Sequence, residues 1–121
     1  MVFTREVLGQ TIRFSVEKVG MDYNVIISGG TRAHIGSVSM ATPVQNLETG
    51  QDSATVSTFV YLGHKDEYIG NKVAYEMCKR LRTNVVVCCG VHYDGLSKDE
   101  IEQVVVASER LMQEVLVAIL E

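Results

Sequence analysis

The residues with the widest chemical range in this chain are three histidines, and each stands beside glycine at an expected strand end or start. His34 lies in Gly29-Gly30-Thr31-Arg32-Ala33-His34-Ile35-Gly36, His64 in Gly63-His64-Lys65-Asp66, and His92 in Gly90-Val91-His92-Tyr93-Asp94-Gly95. Imidazole can donate, accept or carry charge near neutral pH. Glycine admits tight turns and close backbone approach. Three such junctions in one small domain are expected to converge on a shared polar pocket, which is the pattern of a ligand site and names no reaction. In the first junction, exposed amides at Gly29 and Gly30 together with Arg32 could hold an anion beside His34. The bland alternative is a hairpin turn with a surface arginine. The spacing matches neither the dinucleotide fingerprint nor the P-loop. Gly63, His64 and Lys65 precede an expected helix start, where free N–H groups and a partial positive charge suit phosphate. The alternative there is a start capped by Asp66, with solvated charges.

Other chemistries are weaker. Cys88 and Cys89 come just before His92, and a Cys–His nucleophile pair can be drawn. Alternation along a strand points the two thiols to opposite faces, and buried cysteine usually behaves as a small hydrophobe. His92 and Asp94 are better read as turn-shaping or pocket-rim residues. The third cysteine is Cys78; an odd count with two adjacent residues argues against a disulfide framework. No CxxC or His/Cys ligand spacing marks a zinc site, and the three histidines are too widely spaced to diagnose a metal. Tyr61, Tyr68, Tyr75 and Tyr93 could stack on a planar ring or serve as ordinary packing. No Ser-His-Asp order or paired-carboxylate pattern stands out.

Composition sets the frame for these residues. The chain has 121 residues, 46% of them hydrophobic, which fits one folded domain over 1–121 with a core mostly of Val, Ile, Leu and Met. The net charge of −4 argues against nucleic acid as a partner. Arg32, Lys65 and Lys72 fall in or near the histidine segments, so a phosphate could still be held locally. The opening Met-Val-Phe-Thr-Arg-Glu lacks the basic-then-apolar order of a secretory leader. No apolar run reaches the roughly 18 residues of a membrane span. A soluble, cytoplasmic protein is expected.

The elements that must position the junctions can be read from periodicity. Thr11–Val19 alternates, with Ile12, Phe14 and Val16 on one face and Arg13, Ser15 and Glu17 on the other, and pairs with Tyr23–Ser28 through a turn at Gly20. A third strand is expected over His34–Ala41, stopped by Pro43, and a fourth over Ala54–Leu62 after a polar loop. Ile69, Val73, Met77 and Leu81 recur every fourth residue, predicting an amphipathic helix over Asp66–Arg82. Asn84–Val91 is a continuous apolar run of strand length, the pattern of a buried central strand. Ser97 and Glu100 form a capping box for a last helix. Its stripe of Ile101, Val104, Val105, Leu111, Met112, Val115 and Ile119, added to the Val-rich strand, exceeds what one small domain can cover, so a homodimer is expected. The fold class is α+β: a two-layer, mostly antiparallel sheet packed against two helices in the order β-β-β-β-α-β-α. The strand–helix–strand unit makes a crossover if its strands run parallel.

Taken together, the runs Ser28-Gly29-Gly30, His34-Ile35-Gly36-Ser37-Val38, Gly63-His64-Lys65-Asp66 and Gly90-Val91-His92-Tyr93-Asp94-Gly95-Leu96-Ser97 resemble the prenylated-flavin chaperone family (LpdD-like), which is related in fold to proteasome assembly chaperones. The resemblance runs from about Thr11 to Val115; Ala33 stands where the family pattern has proline before His34. It implies a binding role without catalysis: the protein would hold prenylated FMN or FMN and support a UbiD-type decarboxylase of aromatic acids. His34, His64, Lys65 and His92 carry over as ligand-pocket residues, joined by Gly29, Gly30, Arg32 and Gly63 from the same junctions. Two rivals stand beside it: an assembly chaperone with no small-molecule ligand, and a small hydrolase using Cys89 or His92.

Overall fold

Alternating apolar and polar residues build most of the sheet, and the two helices cover only one side of it. The computed structural model describes residues 1–61 and 67–121, Glu67 by its backbone only. The elements are β1 (Val2–Val7), β2 (Gln10–Val19), β3 (Asp22–Gly30), β4 (Ser37–Gln45), β5 (Asp52–Val60), α1 (Glu67–Leu81), β6 (Val85–His92) and α2 (Lys98–Leu120). The six strands lie in the order β1-β2-β3-β6-β4-β5. Neighbours are antiparallel except β3 and β6, which run parallel. The α+β class and the two-helix layer are as the periodicity predicts. β5 and β6 run in the same direction on either side of β4, so the strand–α1–strand unit is a crossover, as the parallel condition requires.

Three elements differ from the sequence reading. First, an additional strand, β1, precedes the four expected before the helix. It is an edge strand with only Phe3 and Val7 packing toward the core, too little apolar patterning to announce itself. Its turn at Leu8 and Gly9 has positive φ at both residues (52° and 78°), as two-residue hairpins require. Leucine stands there in place of the usual Asn or Asp, which hides the signal. Second, β4 begins at Ser37, so His34 lies in the loop before it, and it runs through Pro43 to Gln45. β6 pairs with β4 only as far as Ala41. Beyond that point β4 has a neighbour on one side only, and the missing N–H of proline is tolerated at such an edge. Third, Gly29 and Gly30 are the last residues of β3, not loop residues.

The core lies between the helices and one face of the sheet. Ile12, Phe14, Val25, Ile27, Val85 and Val87 from the strands meet Met77 and Leu111 from the helices, all fully buried. Each such side chain contributes about 1.5–3 kcal/mol by leaving water. The capping box at Ser97 forms as expected: its hydroxyl accepts from the Glu100 amide, and the Glu100 carboxylate accepts from the Ser97 amide. That carboxyl is held below the usual glutamate range by the backbone amide it accepts from. The buried stripe of α2 is Val104, Ala107, Leu111, Met112, Val115 and Leu116, all against this chain's own core. The helix therefore leaves little apolar stripe over, although Ile101, from the expected stripe, is half exposed. Among the described residues, no helix is long and apolar enough to cross a membrane.

Candidate functional site

The register of the sheet brings the first and third glycine- and histidine-bearing junctions to one edge. Gly30 pairs with His92, Ser37 pairs with Cys89 on one side and with Val60 on the other. The end of β3, the end of β6, the start of β4 and the end of β5 thus lie side by side. The Tyr61 amide donates to the Gly36 carbonyl at 2.8 Å, so the chain leaves β5 from this same edge. Gly63, His64 and Lys65 lie outside the described residues, as does Asp66.

His34 and His92 meet. Their ring centroids are 6.3 Å apart and the planes cross at 76°, an edge-to-face arrangement. His34 Nδ1 lies 3.2 Å from the Arg32 carbonyl oxygen. A carbonyl can only accept, so that nitrogen carries the proton and sets the tautomer. His92 Nε2 donates to the Asp94 carboxylate at 2.8 Å, and both rings are half-buried. Arg32 is exposed and makes no ion pair among the described residues.

Glycine is needed here for close approach between chains. At Gly30, φ is +82°, and a Cβ would lie 2.0 Å from the His92 carbonyl oxygen. At Gly90 a Cβ would fall 1.5 Å from the His34 carbonyl oxygen, so the His34 loop crosses directly over this point of β6. Any side chain at either position would push the two histidine segments apart.

Other candidates are placed elsewhere or otherwise engaged. Lys72 sits on α1 and donates to Glu109 of α2 at 2.6 Å, a contact that raises its pKa. Tyr93 donates to the Val7 carbonyl and Tyr75 hydrogen-bonds Ser53, whereas Tyr61 and Tyr68 are exposed. Cys88 and Cys89 point to opposite faces as alternation predicts, Cys89 being buried on the helix side. Cys88 shares a face with His92 but lies four residues away, about 13 Å along an extended strand, too far for a Cys–His couple. Among the described residues no three His, Cys, Asp or Glu side chains cluster as a metal site would require. Sequence reading passed over Ser37, whose side chain is buried with a hydroxyl that makes no hydrogen bond among the described residues, close to Gly70 of α1. A small polar residue alternating with Val38 carries no signal of that position.

With this geometry in view, comparison with known proteins decides the family. The model of the prenylated flavin chaperone LpdD-like domain matches residues 6–120. This chain belongs to the LpdD-like family. It is 25% identical over 114 residues to Protein LpdD of Lactiplantibacillus plantarum, an alignment covering 94% of this chain and 81% of that protein. As a member of a chaperone family, this LpdD-like chain is a non-catalytic accessory protein. That disposes of the hydrolase alternative, in agreement with Cys89 being buried on the helix side, on the opposite face from His92.

Proposed function

We propose that this LpdD-like protein binds prenylated FMN, or FMN, at the His34/His92 edge and assists its delivery to, or the maturation of, a UbiD-type aromatic acid decarboxylase in the cytoplasm. The chain acts as one LpdD-like unit over its 121 residues and works as a homodimer. The observation that carries the site is the meeting of His34 and His92 across two segments held together by Gly30 and Gly90. Half-buried imidazoles with fixed hydrogen bonds can receive the polar edge of a flavin ring. Arg32 supplies a guanidinium suited to its phosphate, and Tyr61 a surface for stacking. Gly29, Gly63, His64 and Lys65 complete the proposed site.

Titration of the purified protein with prenylated FMN, FMN and riboflavin, followed by flavin absorbance and fluorescence, tests this. Binding is expected to weaken at least about tenfold in His34→Ala and His92→Ala, the loss of one good hydrogen bond to a ligand. Arg32→Ala is expected to weaken FMN but leave riboflavin unchanged. No binding of either flavin phosphate by the unaltered protein would remove the reading and leave assembly of the decarboxylase without a ligand.

A further inference from the structure

The strand β6 is apolar on both faces, yet the helices cover only one. Val85, Val87 and Cys89 face the helices and are buried, while Val86 and Cys88 face the other way. On that open face the register lines up Val2, Ser15, Ile26, Cys88, Val38 and Phe59 in one row crossing all six strands. Ile26 is 47% exposed and Phe59 78%, and Met40, one row below, is 58% exposed. A row with five apolar side chains in six on a sheet face is unusual for a surface left in water.

We infer that a second copy of this chain covers this face, the two sheets packing across a two-fold axis laid along the row. The inference deepens the homodimer reading by naming the surface. Charge favours a copy as the occupant. Arg13 and Glu17 flank Ser15 on β2, one on each side of the row, and neither makes an ion pair among the described residues. A two-fold axis through the row places Arg13 opposite Glu17 of the second copy, and the converse, giving two ion pairs per dimer. Shape agrees. Val86 and Met40 on one flank come opposite Gly90 and Gly36 on the other, where the surface is backbone, including the His34 carbonyl that crosses Gly90. Extent agrees as well: six strands at about 4.8 Å spacing and roughly 30 Å long present on the order of 700 Å², close to the roughly 800 Å² per partner of a stable interface. In this arrangement the second copy borders the histidine edge. The apolar surface left over by the chain's own core thus lies on the sheet face and not on α2.

Sedimentation equilibrium of the full chain reads the result. The unaltered protein is expected at twice 13.4 kDa. Ile26→Glu is expected to raise the dimer dissociation constant roughly thirtyfold or more, as for a buried interface anchor. Arg13→Glu sets four carboxylates facing one another and weakens the dimer, whereas the double exchange Arg13→Glu with Glu17→Arg restores it. Circular dichroism checks that each variant folds. Facing sheets about 10 Å apart hold Cys88 and its copy too far apart for a direct disulfide, but a short bismaleimide should join them, and Cys88→Ala should abolish the product. A monomer at all concentrations overturns both the homodimer and this face. A dimer indifferent to Ile26→Glu and to the charge exchange overturns the face alone. An intact dimer that loses only its decarboxylase in Ile26→Glu assigns the face to that partner and overturns the inference.

Discussion

The two faces of the sheet are built from the same strands by the same alternation, yet they do different work. The inner face carries Phe14, Ile27, Val25 and Val87, all sealed by α1 and α2. The outer face carries Ile26, Met40 and Phe59 in water, beside Arg13 and Glu17. Burial by the chain's own helices gives the inner face its stability. The outer face is the one proposed here for association, and the edge where the faces meet holds the His34/His92 pair. On that proposal, fold and function are separated by the thickness of one sheet.

The sharpest way to break this contrast is a matched pair of aromatic truncations. Phe14→Ala should cost about 3–5 kcal/mol in denaturant unfolding, while Phe59→Ser, on the outer face, should change the unfolding of the dissociated chain by no more than about 0.5 kcal/mol. Equal losses would make the outer face part of the fold. Next in size is Gly30→Ala. With φ at +82° and the His92 carbonyl in the way, it should cost about 2 kcal/mol or more and shift the His92 ring resonances in NMR. Unshifted His34 and His92 signals would mean the glycine does not set the histidine edge.

Smaller effects belong to the helix layer. Ser97→Ala removes the α2 cap and should cost about 1 kcal/mol. The Glu100 carboxyl has a lowered folded pKa, so its contribution is present above the ordinary glutamate range and fades as pH falls through the folded value. Glu100→Gln should flatten that acid limb of the stability profile without moving the flavin affinity. A change in affinity would couple the cap to the site.

Much of the fold was legible because alternation and fourfold recurrence report directly on burial. Ile12, Phe14 and Val16 declared β2, Val73 and Met77 declared α1, and Ser97 with Glu100 declared the start of α2. β1 was not legible, since a polar edge strand with Leu8 in its turn breaks none of the rules that mark a loop. Pro43 misled because its cost depends on whether a neighbour strand waits for its N–H, which only pairing reveals. At the site, the glycine–histidine junctions were visible as residues, but their meeting was not. His34 and His92 are 58 positions apart, and the parallel insertion of β6 beside β3 is what joins them.

Sequence alone determined the residue types at each junction, the periods of the elements and the apolar character of both faces of β6, because these are local properties of side chains and their spacing. Only the tertiary structure decided that both helices lie on one face, that Gly30 and Gly90 admit crossing backbones, and that the apolar row across six strands is left uncovered. Those outcomes depend on strand order and register, which arise from contacts between residues far apart in the chain, and no local pattern encodes them.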